Sequence, residues 1–261
     1  MPIIHAAVLG LIQGLTEFLP ISSSAHLTLA PWFFGWPDPG LTFDIALHVG
    51  TLLAVVAFFW KDWLRLIRNG LTKGLATPDG RLFWFLAAAS VPGAAAGVLF
   101  ESQAETIFRG PLVIAAMLAA MGFVLLIADR MAARRVTSVE PTLGRSLAVG
   151  LAQALAIVPG VSRSGITMAT GLFAGMTREA AARFSFLLST PMIAGAAVFK
   201  LRHLSPSAVD APFLTGIIVS AAVGFLVIGG LLKWLARRGF LPFVVYRILL
   251  AAVVVLVFVL R

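Results

Sequence analysis

The chain has 261 residues, 60% of them hydrophobic and 12% charged, with a mean hydropathy of +0.99. That leaves too little polar surface to cover a soluble globule of this length, so a soluble fold is excluded and an integral membrane protein is expected. Lys and Arg outnumber Asp and Glu by 20 to 11, yet the basic residues cluster beside apolar segments, which points to anionic lipid headgroups and not to nucleic acid. The absence of cysteine removes disulfides, thiolate chemistry and Cys-ligated metals.

The first stretch, 1–19, has no basic leader and carries Gln13 and Glu17 where a signal peptide is apolar, so it reads as mature structure. It runs into Pro20, resumes near Ser23 and stops by Gly35, and neither arm is long enough to cross a bilayer alone. Spans of about the right length and hydropathy follow at 43–60, 82–100 and 111–129. The stretch 143–157, broken at Pro159-Gly160 and resuming through Phe173, repeats the opening design, and further spans are expected at 184–200, 212–234 and 242–260. Broken helices at membrane depth survive only where protein or a wet cavity satisfies the freed backbone groups, which makes these two segments re-entrant hairpins aimed at a site.

The two hairpins align without a gap. Gly10, Gln13, Leu15, Ser22, Ser24 and Gly35 match Gly150, Gln153, Leu155, Ser162, Ser164 and Gly175, with a constant offset of 140 residues. Each half then holds one hairpin and three spans, an odd number of crossings, so the second copy enters from the opposite face. The expected fold is all-α and polytopic: a single integral membrane domain of two inverted-topology repeats, 1–140 and 141–261, each with one re-entrant hairpin plus three transmembrane helices.

Orientation follows from the loops. Lys61, Arg65, Arg68, Lys73 and Arg81 lie in one, Arg130, Arg134, Arg135 and Arg145 in another, and Lys233, Arg237 and Arg238 in a third, all on one side, which reads as cytoplasmic. Both termini, the mouth of the first hairpin and the loops at 101–110 and 201–211 then face outward, although Lys200 and Arg202 dilute the bias.

The chemistry sits at the breaks. An arginine at bilayer depth costs roughly 2.5–3.5 kcal/mol to insert, so Arg163 is offered to an anion or a wet cavity. After Pro20 and after Gly160 the chain restarts as helix, which leaves backbone N–H groups around Ser22, Ser24, Ser162 and Ser164 without carbonyl partners. Two helix N-termini and one guanidinium converge on a single point, and the planar guanidinium suits phosphate. Glu17 follows Gln13 by one helical turn and His26 follows Ser23 by three residues, so each pair shares a face. A serine beside a histidine or carboxylate is the pattern of an activated hydroxyl, and a carboxylate close to phosphate also suits a divalent metal. Gln13 and Gln153 either reach the ligand or tie the two arms together. His48 reads as a hydrogen-bonded core residue, Asp44 as a helix cap with metal or active-site contact as the alternative, Glu101 and Glu105 as parts of a solvated loop, and His5 and His203 as interface residues.

These motifs resemble the undecaprenyl-diphosphate phosphatase family associated with bacitracin resistance, over essentially the whole chain. The carriers are Gln13-Gly-Leu-Thr-Glu17, Pro20-Ile-Ser-Ser-Ser-Ala-His26 and Pro159-Gly-Val-Ser-Arg-Ser-Gly-Ile-Thr167. The resemblance implies an enzyme of the bacterial cytoplasmic (inner) membrane, its active site on the outer side, that converts the C55 polyprenyl diphosphate lipid to its monophosphate and recycles the carrier for cell-wall synthesis. It assigns functional roles to Glu17, Ser23, His26, Ser162, Arg163 and Thr167, and it implies magnesium or calcium with Glu17 as a metal contact. Gln stands at 13 where many members have Glu, which leaves Glu17 the only acidic side chain in that element. On this reading Glu17, Ser23, His26 and Arg163 act on the phosphate, while Gln13, Ser22, Ser24, Ser162, Ser164 and Thr167 bind it. Ser23 as nucleophile and direct attack by water both fit, and a transporter or flippase for a phosphorylated polyprenyl lipid is the rival function.

Overall fold

The computed structural model describes residues 1–100, 102–103, 106–133, 140–201 and 209–261. The expectations for Glu101, Glu105 and His203, and the contributions of Arg134, Arg135, Arg202 and the Lys200 side chain to the charge bias, lie outside the described residues and side chains.

The described residues are helical and contain no strand. The first hairpin is α1 (Ile3–Thr16) and α2 (Ser23–Phe34), followed by α3 (Gly40–Phe58), α4 (Trp60–Lys73), α5 (Pro78–Leu99) and α6 (Pro111–Ala132). The second hairpin is α7 (Leu143–Gln153), extended by a 3-10 turn at Ala154–Ile157, and α8 (Arg163–Phe173). Then come α9 (Arg178–Leu201), α10 (Ala211–Leu235) and α11 (Leu241–Leu260). Six of these, α3, α5, α6, α9, α10 and α11, are long and apolar enough to cross a bilayer, which makes this a multi-pass membrane protein.

Packing between the halves is reciprocal. The first arm α1 lies along α10, and the second-hairpin arm α7 lies along α5; likewise α3 packs on α10 and α9 on α5. Close approach explains two of the glycines that the halves share. A Cβ on Gly10 would sit 2.6 Å from the carbonyl oxygen of Gly216 in α10, and one on Gly150 would sit 2.6 Å from the Cα of Ala89 in α5. Backbones at that distance admit no side chain, as is common where helices associate in lipid. The returning arm α2 buries Ala25 and Leu29 against Ile114, Leu118, Ala251 and Val254 of α6 and α11.

The loop expected over 61–81 is a helix for most of its length. Trp60, Leu64, Ile67 and Leu71 are exposed on α4, interleaved with Lys61, Arg65, Arg68 and Lys73, a pattern suited to the plane of a membrane interface. Ion pairs from Arg65 to Asp79 of α5 (3.0 Å) and from Asp62 to Arg183 of α9 (2.7 Å) fix α4 to its neighbours.

One residue that the sequence reading passes over holds both helix breaks. Arg247, in α11, is 0% exposed, and it donates to the carbonyls of Pro20 (3.0 Å), Gly160 (2.6 Å) and Leu118 (3.1 Å). Pro20 and Gly160 lie in the interruptions of the two hairpins, where carbonyls have lost their helical partners. Arg247→Leu strands those acceptors in an apolar interior, so we expect it to destabilise the protein by at least ~2 kcal/mol. Thermal unfolding in detergent checks this, and an unchanged midpoint would contradict the clamp.

Candidate functional site

The two breaks meet. Ser22 and Ser162 are the two non-glycine residues with positive φ among the described residues, at 76° and 71°. Each caps the helix after its break: Ser22 Oγ accepts from Ala25 N at 3.4 Å, and Ser162 Oγ accepts from Gly165 N at 3.0 Å. A side chain held in the left-handed region is strained, and it persists only where its surroundings dictate it. Here those surroundings are the opposite hairpin. Ser22 Oγ also accepts from Gly160 N (3.0 Å), and Ser164 Oγ donates to the Leu19 carbonyl (2.9 Å).

Glu17, 5% exposed, is the centre of the junction. Its Oε2 accepts from Ser23 Oγ at 2.5 Å and from Gln13 Nε2 at 2.9 Å, while Oε1 pairs with Arg163 Nη2. One carboxylate therefore joins the hydroxyl of one hairpin to the guanidinium of the other. The second nitrogen of Arg163, Nη1, is buried without a hydrogen-bond partner, a donor ready for an anion. A cavity of about 520 Å³ opens beside this junction, lined at its polar end by Glu17, Ser23, Ser24, Ser162 and Arg163.

The other expected residues lie around that group. Gln13 stands behind Glu17 and orients it. Ser22 and Ser164 tie the hairpins together, as above. Thr167 hydrogen-bonds the Arg163 carbonyl (2.7 Å) and Ser185 of α9 (2.7 Å), so it anchors the turn that carries Arg163. His26 is turned away from Ser23. Its Nδ1 lies 2.7 Å from the Ser22 carbonyl, and its Nε2 lies 2.7 Å from the Tyr246 hydroxyl, with the two rings stacked. A carbonyl only accepts, so Nδ1 carries a proton, and in the neutral ring Nε2 accepts from tyrosine.

Two readings of α3 change. His48, expected in the core, lines the cavity with Nε2 at 3.4 Å from Glu17 Oε2, its Nδ1 held by the Asp44 carbonyl at 2.6 Å. Asp44 does not cap α3, because the helix begins at Gly40; its Oδ2 pairs with Arg109 (3.1 Å), which also grips Asp38 (2.9 Å). His48 and Glu17 are far apart in sequence and meet because α3 and α1 share α10 as a packing partner. The available signal was the Asp44–His48 spacing of one helical turn inside an apolar span, where ionisable groups are functional by default. The same rule would have found Arg247.

For a divalent cation the donor set is sparse but of the right kind. Among the described residues no three His, Cys, Asp or Glu side chains cluster, whereas Gln13 Oε1 and Asp44 Oδ1 are buried oxygens without hydrogen-bond partners, the first one helical turn from Glu17 and the second on a residue that lines the same cavity. Hard oxygen ligands suit magnesium or calcium, and an ion shared with phosphate needs few protein ligands. The residues therefore fit a cation carried mainly by its substrate better than one enclosed by protein.

Comparison with known proteins shows the family. The profile of the bacitracin resistance protein BacA family matches residues 6–253. An undecaprenyl-diphosphatase of Moorella thermoacetica is 59% identical over 261 residues and covers all of both chains. One of Desulforudis audaxviator is 52% identical over 97% of each chain. One of Pelotomaculum thermopropionicum is 53% identical over 98% of this chain and 96% of its own. With that coverage and identity, the chain belongs to the bacitracin resistance protein BacA family.

Proposed function

We propose that this protein hydrolyses undecaprenyl diphosphate to undecaprenyl phosphate and inorganic phosphate, recycling the carrier lipid and conferring bacitracin resistance. The observation that carries the reading is Glu17, which holds the Ser23 hydroxyl on one oxygen and the Arg163 guanidinium on the other. Ser23 is the nucleophile. Its Oγ bonds to the terminal phosphorus, its proton passes to Glu17, and the bond from that phosphorus to the bridging oxygen breaks to release the polyprenyl monophosphate. Glu17 hands that proton to the departing monophosphate; water then attacks the phosphoserine, Glu17 takes a proton from that water, and as the bond from phosphorus to Oγ breaks Glu17 returns the proton to Ser23, releasing inorganic phosphate. Arg163 and the N-termini of α2 and α8 hold the non-bridging oxygens throughout.

A magnesium or calcium ion held by substrate oxygens, Glu17 and the Gln13 amide oxygen would neutralise further charge on the diphosphate. Ser24 and Ser162 donate to the phosphate; Gln13, Ser22, Ser164, Thr167 and His26 keep the tips in register. Reciprocal packing of the halves supports inverted repeats within one membrane domain. The cavity also reaches Leu41 and Asp44 near the start of α3, Val98 near the end of α5, and Arg109, all at the ends of the spans away from the basic α4. With α4 on the cytoplasmic side of a bacterial inner membrane, the active site faces outward.

A transporter or flippase shares the architecture, since broken helices meeting at the midplane also serve transport. Phosphate release in detergent separates the two, because transport has no meaning there. Purified protein is expected to release inorganic phosphate from undecaprenyl diphosphate with multiple turnovers. Lipid movement between leaflets of a vesicle without phosphate release would favour the flippase.

A further inference from the structure

The cavity beside Glu17 has a second, apolar end that the hydrolysis reading does not use. Its walls are α5 and α9, which touch at Gly93, where a Cβ would lie 2.9 Å from the Met192 methyl and 2.7 Å from Gln153 Nε2. One turn further along α5 the helices separate: a Cβ on Gly97 meets nothing within 4 Å, and neither does one on Gly195 of α9. Pro92 and Pro191 interrupt the hydrogen-bond ladders of the two walls at the level of that contact, which lets each helix bend away beyond it. The resulting slot is lined by Ala94, Gly97, Val98, Gly195, Ala196 and Phe199, and Val98 and Phe199 are themselves exposed on the outer surface of the bundle. It therefore opens sideways, toward lipid.

At the threshold between this slot and the polar end stands Gln153. The residue is 3% exposed and lines the cavity, yet neither its amide oxygen nor its amide nitrogen has a hydrogen-bond partner. An amide buried without partners is costly to the fold, so the position is made for a polar group that arrives with a ligand. The slot is continuous with the Ser23, Glu17 and Arg163 junction in one cavity, so the ligand is polar at one end and apolar at the other.

We propose that the slot between α5 and α9 holds the first isoprene units of the substrate tail, with the Gln153 amide donating to the phosphate next to the lipid. This rests on the hydrolysis reading for the position of the headgroup and adds the direction of the tail. The substrate would enter from the bilayer between α5 and α9, headgroup first, and its monophosphate product would leave by the same gap. Glycine at 97 and 195, with no side chain, keeps the gap wide enough for a methyl-branched chain.

Photolabelling tests this without relying on turnover. The probe is a farnesyl diphosphate analogue with a methylene-bridged diphosphate and a diazirine on its first isoprene unit, applied to the full chain in detergent. The label is expected on peptides from α5 and α9 that include Gly97 and Gly195. Gly97→Leu and Gly195→Leu should each lower labelling roughly tenfold, since each side chain fills the slot and meets nothing else in the fold. Gly230→Leu is the control, another helical glycine with nothing within 4 Å and itself exposed, and it should leave labelling unchanged. Label on other helices, or labelling indifferent to leucine at 97 and 195, overturns the slot. A labelled slot in a protein that releases no phosphate would keep the tail site and overturn hydrolysis; phosphate release with label elsewhere would do the reverse.

Discussion

Arg163→Lys is expected to lower turnover of undecaprenyl diphosphate about a thousandfold, close to the loss from Arg163→Ala. Lysine keeps the charge but not the planar fork, and the structure uses the two ends of that fork differently. Nη2 is committed to Glu17, while Nη1 is buried and unpartnered. An ammonium can serve the carboxylate or the phosphate from one point, and it cannot span both. Charge that develops on the phosphoryl oxygens then loses a positioned donor, and arginines in that role contribute factors of roughly 10³ to 10⁵ in rate. Phosphate release under saturating substrate is the measurement. A lysine variant within a few-fold of wild type would mean that Arg163 acts only as a point charge.

Ser23→Ala should be as damaging, with residual turnover about a thousandth of wild type or less. The substitution is mild for the fold: position 23 begins α2, and alanine is a good helix former. What disappears is the oxygen 2.5 Å from Glu17 Oε2, a hydroxyl already donating to a buried carboxylate. Rapid quenching of the wild type should also trap phosphate on Ser23. Full turnover by Ser23→Ala would assign the attack to water.

The hairpins were legible because breaks in apolar sequence are loud. Pro20 and Pro159-Gly160 interrupt stretches too short to span, and the serines after them have no place in a lipid-facing helix. Glu17, Ser23 and Arg163 followed from spacing and from the cost of charge in hydrocarbon. Less visible was everything that depends on which way a ring turns. The spacing of Ser23 and His26 puts them on one helical face, yet the imidazole is taken by Tyr246 on α11. His48 was hidden for the opposite reason, since only the packing of α1 and α3 on α10 brings it to Glu17. In α4 the closely spaced basic residues read as a charged loop and masked the helical period of Trp60, Leu64, Ile67 and Leu71.

The central claim is that side chains from both hairpins act on one phosphate in one step, and a double-mutant cycle measures that directly. Phosphate release is compared for wild type, Ser23→Ala, Arg163→Lys and the double variant. Groups that act as a unit lose most of their effect with the first substitution, so the double variant should be no slower than about threefold below the worse single one. Losses that multiply in full, with each residue contributing independently, would contradict a shared phosphate site.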